Sequence, residues 1–373
     1  MLPRLADGYD VHLLGIGYRG PSRDLGGATL HPTNLQGGDV FGAFAAAALV
    51  QELDARLVLL LNDLWMLQPY MHTLPRLRKR PSIVAYVPLD GELVDDRLLR
   101  PLEPVDRFVT FTEFGRRQLE AFTAAPVDVI PHGVDVETFR PLPGGRDEAR
   151  GRLFPDGPEW RAGFIVLNAN RPLERKRIDL TLEGFARFAE GKPPGVKLWL
   201  HHAIMDADEH DAIEAIARRL DLGDRLRLSG VGAGPLCDDE LNLVYNACDV
   251  GLNTAMGEGW GLVSFEHAAT GAAQVVPASS ACAELWDGAA EIVPAVEAGV
   301  PRFSPLAMRS VAAEDVAAAL ERLYGDRDHL RATAEAGYRR ATRPEYDWDR
   351  IAAQWRDLFD DVLARSTPAV AQR

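Results

Sequence analysis

Two glutamates frame a glycine-rich stretch in the second half of the chain. The segment 252–277 reads LNTAMGEGWGLVSFEHAATGAAQVVP, with Glu258 and Glu266 eight positions apart. A strand-like apolar run ends where this segment begins, and a helix is predicted to start near Gly261 and to stop at Gly271. Glycines let a ligand approach the backbone closely, and a helix N-terminus offers free N–H groups and a positive dipole end to a phosphate.

Glu266 is predicted to lie on the buried face of this helix. It shares a face with Leu262, Phe265 and Ala269, and helical side chains lean toward the N-terminus, here toward the loop. A buried carboxylate is costly unless it is hydrogen-bonded, and the vicinal diol of a ribose supplies two O–H donors. Glu258 can face another part of the same ligand. The alternative is that Glu266 pairs with an arginine of a neighbouring element and that Glu258 is exposed.

A dense basic cluster follows the predicted strand Phe164–Leu167. Residues 168–177 read NANRPLERKR, and ligands of α/β sheets bind at the carboxyl ends of strands. Arg171 can place two N–H donors on a diphosphate, while Lys176 adds a compact charge. A solvated helix start is the alternative interpretation, although cations at a helix N-terminus oppose the dipole.

Three shorter motifs are interpreted as structural. Gly15–Gly20 matches G-x-G-x-x-G, but the following Pro21–Gly27 (PSRDLGG) cannot continue a helix, so a loop is predicted. Asp206–Asp208 resembles a metal-binding D-x-D, yet DADEHD better fits the acidic first turn of a helix. Arg76–Arg80 could touch anionic lipid, and the favoured interpretation is the solvated end of a helix.

The elements that must position these residues read as α/β. Continuously apolar strand-like runs alternate with helical patterns, which is typical of parallel sheets covered by helices on both faces. The predicted strands are Val11–Leu14, Leu57–Leu61, Ile83–Val87, Arg107–Phe111, Val127–Ile130, Phe164–Leu167, Val196–Leu200, Leu226–Leu228, Val250–Leu252 and Gln274–Val276.

Length and composition predict two domains. A chain of 373 residues fits about two domains, and the Pro- and Gly-rich segment 140–160 is the candidate boundary. We therefore predict a doubly wound domain over residues 1–142 and a second over residues 143–342. An amphipathic terminal helix within residues 343–373 is expected to pack back toward the first domain.

Charge, cysteine content and hydropathy argue against a nucleic-acid-binding, a disulfide-rich or a membrane-spanning protein. The formal net charge is −14, which disfavours nucleic-acid binding but not a local phosphate site. Three cysteines cannot build a disulfide framework, and no Cys/His spacing suggests zinc. No signal peptide or membrane-spanning run is recognised, so a cytoplasmic protein is expected, with membrane contact at most peripheral.

The motifs together resemble those of the retaining glycosyltransferases of family 4, also called group 1. Glu258–Glu266 resembles the family's Glu-x7-Glu, and Asn170–Lys176 is similar to its Arg-x4-Lys. Val129–Asp135 (VIPHGVD) is similar to its interdomain-edge signature, and Arg107–Leu119 and Asn246–Val250 also fit. The resemblance covers about residues 80–290. It implies the GT-B fold, in which two Rossmann-like domains face a cleft.

The resemblance also implies a role for each matching residue. A metal-independent bacterial hexosyltransferase would move sugar from a nucleotide-diphosphate sugar to a sugar, glycan, lipid or small-molecule acceptor. Arg171 and Lys176 would hold the diphosphate and stabilise the leaving group, and Glu258 would bind the transferred sugar. Glu266 would bind the ribose. Backbone amides would line sugar and phosphate at Gly259, Trp260, Gly261 and Leu262.

Two departures from the family pattern concern the first domain. Where the family often has a histidine, Tyr86–Gly91 reads YVPLDG, and Asp90 either faces the acceptor or is an ordinary turn residue. The residues Leu2–Val11 read as a helix end entering what should be the second strand, so the first strand–helix unit would be missing. Alternatively, Val11–Leu14 is the first strand.

Two other functions remain open from the sequence. One is a truncated or degenerate GT-B domain that binds sugar nucleotides without turnover. The other is an α-glucan synthase or phosphorylase, which the chain length disfavours, and a phosphorylase is disfavoured also by the lack of a cofactor-lysine context.

Overall fold

The structure, a computed structural model, describes residues 2–33, 38–202, 207–229 and 236–366. The chain divides into two compact units. Unit 1 comprises residues 1–89, 93–133 and 345–373, and unit 2 comprises residues 90–92 and 134–344. The chain thus passes into unit 2 after Gly133, before the predicted boundary at residue 142.

Unit 1 is an α/β unit. Its strands are β1 Val11–Gly15, β2 Arg23–Asp24, β3 Ala28–Pro32, β4 Leu57–Leu61, β5 Ser82–Tyr86, β6 Arg107–Thr110 and β7 Val127–Val129. Its helices are α1 Leu2–Ala6, α2 Ala43–Leu53, α3 Leu64–Met71, α4 Glu113–Glu120 and α14 Trp348–Ser366.

Two sheets form unit 1. The strands β4, β5, β6 and β7 lie in that order and are all parallel. In the other sheet β3 lies between β1, its parallel partner, and the two-residue antiparallel edge strand β2. The helix end expected before Val11 is present as α1, while the missing first strand–helix unit stays a prediction.

The last helix belongs to the core of unit 1. Trp355 of α14 is fully buried, and its ring packs edge-on against Tyr86 of β5 at a centroid distance of 4.8 Å. At the start of the same helix, a Cβ on Gly133 would lie 2.5 Å from the ring of Trp348. Glycine at this position therefore lets the backbone meet the indole directly.

Unit 2 contains the remaining elements. Its strands are β8 Phe164–Asn168, β9 Val196–Leu200, β10 Leu226–Leu228, β11 Val250–Leu252, β12 Ala273–Pro277, β13 Glu291–Val293, β14 Ala295–Gly299 and β15 Met308–Val311. Its helices are α5 Gly145–Leu153, α6 Pro158–Ala162, α7 Ile178–Ala189, α8 Ala207–Arg219, α9 Asp238–Ala247, α10 Leu262–Ala269, α11 Ser280–Leu285, α12 Ala313–Gly325 and α13 Arg327–Ala341.

The main sheet of unit 2 has the doubly wound strand order. Six parallel strands run β10-β9-β8-β11-β12-β13, so the direction of winding reverses between β8 and β11. Every residue of β8, β9 and β12 is buried, which explains why these strands read as continuous apolar runs. The predicted α/β class with parallel sheets is confirmed. Ligands of such sheets bind outside the carboxyl ends of the strands at the reversal.

A buried ion pair ties the two central strands to α5. Arg150 and Asp249 are each less than a tenth exposed, and their Nη2–Oδ2 distance is 2.6 Å. The same Asp249 oxygen accepts a 2.7 Å hydrogen bond from the Ile165 amide of β8, and Arg150 also donates to the Gly163 carbonyl oxygen at 2.9 Å. Both charges are therefore compensated, as burial requires.

The three motifs interpreted as structural can now be placed. Gly15–Gly20 lies in the end of β1 and the turn and loop after it, as predicted. Asp208 lies in the first turn of α8, whereas Asp206 is outside the described residues. In the basic run, a 3₁₀ turn ends at Arg76, and Arg80 pairs with Asp106 at 2.9 Å.

Candidate functional site

The two chemically informative segments meet at the reversal of the main sheet of unit 2. The basic cluster follows β8, and the glycine-rich loop follows β11. These strands are neighbours, with Val250 in register with Val166. Parallel neighbours bring their carboxyl ends to the same edge, so the clusters predicted separately from the sequence lie together.

Two glycines shape the loop between β11 and α10. Gly261, at the N-cap of α10, has a φ of +91°. Residues with a side chain rarely adopt this backbone conformation. Gly257 is constrained by space, because a Cβ there would lie 1.5 Å from the carbonyl oxygen of Asp90. The loop therefore turns into the helix at one glycine and accepts another chain segment at the other.

Glu258 is buried and surrounded by donors. It is 4% exposed and accepts a hydrogen bond from the ammonium of Lys176. The side-chain amide of Asn253 donates a second hydrogen bond, with an Nδ2–Oε1 distance of 3.1 Å. Arg175 Nη1 lies 3.5 Å from its second carboxylate oxygen. Burial acts to raise the pKa of Glu258, but Lys176 and Arg175 outweigh it and hold the pKa below its usual value. The exposed alternative considered for Glu258 is thus wrong.

Lys176 is held in the same pocket. Its side chain is one-tenth exposed and its ammonium donates to Glu258 Oε1. Burial lowers the pKa of Lys176, the nearby Arg175 lowers it further, and Glu258 acts in the opposite direction. The result is a buried, charge-compensated pair between the end of β8 and the loop after β11.

A chain of hydrogen bonds fixes the backbone at Lys176 and Arg177. Asn168 Nδ2 donates to Thr181 Oγ1 at 2.8 Å, and Thr181 lies 2.7 Å from Thr254 Oγ1. Thr254 donates to the carbonyl oxygens of Lys176 and Arg177 at 3.0 and 2.9 Å. Because Thr254 has one hydroxyl hydrogen, Thr181 supplies the hydrogen between the two hydroxyls. Arg177 needs this support, since its φ of +49° is unfavourable for a bulky residue.

Glu266 has a different environment. It is half-buried in α10 and accepts a 3.0 Å hydrogen bond from the hydroxyl of Tyr245 in α9. Burial raises the pKa of Glu266 to about 7, although the Tyr245 hydrogen bond lowers it. Among the described residues its partner is thus a tyrosine rather than the arginine considered as an alternative.

Arg171 differs from the other cations of the cluster. Arg175, Lys176 and Arg177 pair with carboxylates, the last of them with Asp179 at 2.7 Å. Arg171 is exposed, and its guanidinium forms no ion pair or hydrogen bond with the residues that the structure describes. It is therefore the cation of this cluster that is best placed to receive a new anion.

The other candidate positions fall in the same loop. Trp260 is buried and stacks on Phe265 of α10 at a centroid distance of 4.6 Å, which holds the loop against the helix. Gly259 is half-buried beside it, and Leu262, the first residue of α10, is exposed. The backbone from Gly259 to Leu262 thus forms the N-terminus of α10, where free N–H groups favour an anion.

Asp90 is in this neighbourhood although it comes from the first half of the chain. Residues 90–92 belong to unit 2, and Asp90 Oδ2 lies 3.1 Å from Arg175 Nε. Its carboxylate is part of a network with Arg175 and Glu258, while a contact between Asp90 and an acceptor stays a prediction.

Sequence reasoning missed four residues that organise the site. Asn253, Thr254 and Tyr245 contact the predicted residues directly, and Arg175 joins Glu258 to Asp90. The signal available was weak. Polar residues directly after a buried strand mark Asn253 and Thr254, and Arg175 stood within the basic cluster without an assigned partner.

The described residues contain neither a metal-binding cluster nor a membrane-spanning helix. No group of three or more His, Cys, Asp or Glu side chains in this part of the chain is arranged to hold a metal ion. None of its helices combines the length and apolar character that crossing a bilayer needs.

The fold is similar to that of solved structures. Sucrose-phosphate synthase from Thermosynechococcus elongatus superposes with a TM-score of 0.77 at 18% identity, covering 97% of this chain and 91% of that one. HepE from Anabaena, solved with UDP and glucose, superposes with a TM-score of 0.68 at 16% identity, covering 89% and 86%. The chain has the GT-B fold, with two Rossmann-like α/β domains.

Sequence similarity is more specific. Residues 209–357 match the family described as glycosyl transferase-like. D-inositol 3-phosphate glycosyltransferase from Kineococcus radiotolerans is 29% identical over 211 residues, 52% of this chain and 45% of that protein. The protein of the same name from Segniliparus rotundus is 29% identical over 250 residues, 66% and 50%. The match thus spans about half the length of these relatives.

Proposed function

We propose that the chain is a retaining glycosyltransferase of family 4 that uses a nucleoside diphosphate sugar. The observation that carries this proposal is the grouping at the sheet reversal of unit 2. There an exposed arginine, a buried lysine and the N-terminus of α10 offer positive charge beside two carboxylates. A ligand with an anionic centre and hydroxyl groups on both sides matches this pattern.

The diphosphate is assigned to the positive groups. Arg171 and Lys176 bind its oxygens, and the amides from Gly259 to Leu262 complete the cradle. As the bond between the anomeric carbon and the phosphate oxygen breaks, negative charge grows on the leaving diphosphate, and these groups stabilise it. In this proposal they take the part that a metal ion takes in other glycosyltransferases.

The carboxylates are assigned to the hydroxyl groups. Glu266 accepts from the ribose, and Glu258 accepts from the transferred sugar. Both roles require the ionised form, which accepts hydrogen bonds only. Lys176 and Arg175 keep Glu258 ionised, whereas Glu266 titrates near neutrality.

The transfer itself needs no general base from the protein. The acceptor hydroxyl oxygen forms a bond to the anomeric carbon on the face that the diphosphate leaves. Its proton passes to the departing phosphate oxygen, so the anomeric configuration is retained. The protein contributes orientation and charge stabilisation.

The candidate substrates follow from the similar proteins. HepE was solved with UDP and glucose, so UDP-sugars are the first donors to test. The names of D-inositol 3-phosphate glycosyltransferase and sucrose-phosphate synthase indicate phosphorylated polyols and sugars as first acceptors. We place the reaction in the cytoplasm, where nucleotide sugars are available.

A donor screen tests this proposal. Thermal shifts with UDP, GDP and ADP identify the base, and transfer from the matching nucleotide sugars to the acceptor panel is then followed by NMR of the anomeric proton. Glu258→Ala and Lys176→Ala should lose transfer. Lys192→Ala, which removes a lysine paired with Glu321 away from the site, should retain it. Donor binding without transfer or hydrolysis in the unmutated chain would overturn the enzyme and favour a binding domain.

A further inference from the structure

Three residues from the first half of the chain are built into unit 2. Glu92 and Ala307 exchange backbone hydrogen bonds of 2.8 and 2.9 Å in an antiparallel bridge. A Cβ on Gly91 would lie 2.6 Å from the Ala307 carbonyl oxygen, and one on Gly257 would lie 1.5 Å from the Asp90 carbonyl oxygen. The segment 90–92 is therefore packed backbone to backbone between the 307 region and the glycine-rich loop.

One side chain connects this segment to the candidate site. Arg175 directs Nε to Asp90 Oδ2 at 3.1 Å and Nη1 to the Gly257 carbonyl oxygen at 2.9 Å. The same Nη1 is 3.5 Å from Glu258 Oε2. A planar guanidinium holds its five N–H donors in a fixed fork and can direct them at separated acceptors, whereas the ammonium of a lysine is a compact point charge.

The backbone of Arg175 is anchored as well. Its carbonyl oxygen accepts a 2.8 Å hydrogen bond from the Met256 amide, so both ends of the residue hold the loop before Glu258. The loop also contacts α11, because Ser280 Oγ accepts from the Glu258 amide at 2.9 Å. Arg175 thus determines where the loop lies relative to Asp90, and α11 supports it from the other side.

The charges indicate that Arg175 acts on Glu258 rather than on a ligand phosphate. Its donors are directed at Asp90, Gly257 and Glu258, whereas neighbouring Arg171 is exposed. We propose that Arg175 is a positioning residue that joins Asp90 to the Gly257–Glu258 loop and thereby sets the orientation of the Glu258 carboxylate toward the transferred sugar. This inference rests on the proposed function.

The first experiment needs no substrate and therefore tests the positioning separately from the proposed function. Hydrogen exchange of the Glu92 and Ala307 amides is measured in the unmutated chain and in Arg175→Gln and Asp90→Asn. Loss of the ion pair should accelerate exchange at both amides by about tenfold, because local opening becomes easier. Arg309→Gln, which removes a 3.4 Å contact to Glu92 and a 3.7 Å contact to Glu297, is the matched control and should change exchange less. Unchanged exchange in both Arg175→Gln and Asp90→Asn would overturn the inference.

The second experiment uses UDP and the UDP-sugar found active in the donor screen. Arg175→Gln and Asp90→Asn should lower kcat for transfer by about tenfold to a hundredfold, as expected for a misplaced group. The dissociation constant for UDP should stay within about threefold, whereas Arg171→Ala should raise it. Weakened UDP binding equal to that of Arg171→Ala would make Arg175 a phosphate ligand and overturn its positioning role. If the unmutated chain transfers no sugar, the proposed function fails while the exchange result still decides the positioning.

Discussion

The ammonium of Lys176 donates a hydrogen bond to the carboxylate of Glu258, and both side chains are buried. The two residues assigned to different parts of the donor are thus partners in the free protein. A diphosphate that binds Lys176 must share it with Glu258 or replace Glu258 as its partner.

We predict that Glu258→Gln strengthens nucleoside diphosphate binding while it abolishes sugar transfer. The substitution removes a negative charge from the pocket and leaves Lys176 available to phosphate. It also leaves a buried ammonium without its ionic partner, so the free energy of unfolding should fall by about 3 kcal/mol. Calorimetry with UDP and urea unfolding measure the two effects.

A matched control uses a lysine–glutamate pair whose carboxylate is more than half exposed. Lys192 Nζ and Glu321 Oε2 are 2.6 Å apart, and their side chains are 16% and 56% exposed. Glu321→Gln should leave UDP binding unchanged and lower stability by at most about 1 kcal/mol, because an ion pair with an exposed partner contributes little. Weaker UDP binding by Glu258→Gln than by the unmutated chain would contradict the partner exchange.

The raised pKa of Glu266 predicts a pH dependence of stability. An acid whose folded-state pKa lies near 7, above its unfolded value, stabilises the fold at low pH, and this contribution is lost as pH rises through 7. Relative to Glu266→Gln, the unmutated chain should therefore lose about 3 kcal/mol of unfolding free energy between pH 4.5 and pH 8. Urea unfolding of both proteins across this range measures the difference.

Ligand binding should depend on the pH in the opposite direction. Ionised Glu266 accepts ribose hydroxyls, so UDP affinity should decrease as the pH falls below 7. The buried imidazoles of His202 and His267, with pKa values of about 4 and 3, do not become charged in this window. Tyr245→Phe removes a donor that favours the ionised form and should move the midpoint to higher pH. A pH-independent affinity would show that Glu266 does not contact the ligand in its ionised form.

Gly257 should not tolerate even alanine. The added methyl group would overlap the Asp90 carbonyl oxygen, so the segment 90–92 must move, and we expect transfer to fall by more than tenfold. Gly151→Ala in α5 is the control, since nothing lies within 4 Å of a Cβ there. That change should raise stability by about 0.5–1 kcal/mol. Kinetics and thermal unfolding of both variants test the contrast, and normal transfer by Gly257→Ala would contradict the packing.

Thr254 should affect Lys176 through the backbone. Thr254→Val keeps the shape but removes the hydroxyl that donates to the Lys176 and Arg177 carbonyl oxygens. Loss of the donor to the buried Lys176 carbonyl oxygen should cost about 1–3 kcal/mol of stability and weaken UDP binding. The Arg177 carbonyl oxygen keeps hydrogen bonds from the amides of Leu180 and Thr181. Thr254→Ser retains the donor and should restore UDP affinity. If valine and serine variants bind UDP equally, the hydroxyl does not position Lys176.

The central strands of the main sheet of unit 2 could be predicted because β8, β9, β11 and β12 are buried along their whole length. The edge strand β13 escaped prediction, since only one of its three residues is buried. Val196–Leu200 and Val250–Leu252 were predicted with the observed bounds, since continuous apolar runs need no knowledge of their partners. The strand β14 escaped prediction because four of its five residues are exposed and its pairing with β15 is antiparallel. The two-residue strand β2 is too short to leave a pattern.

The candidate site could be predicted in its components but not in its connections. Glu258, Glu266, Arg171 and Lys176 were recognisable from glycine spacing and local charge. Nothing local indicates that Lys176 pairs with Glu258, since partners remote in sequence depend on the strand order.

Consider a chimaera that takes residues 1–133 from one relative and the remaining residues from another. Asp90–Glu92 would then come from a different parent than the part of unit 2 against which they pack. Gly257, which contacts Asp90 here, would face the corresponding residue of the other parent. Recombination between homologues should therefore succeed more often when Asp90, Gly91 and Glu92 are inherited together with Gly257. These three residues thus belong structurally to unit 2, although they lie in the N-terminal half of the sequence.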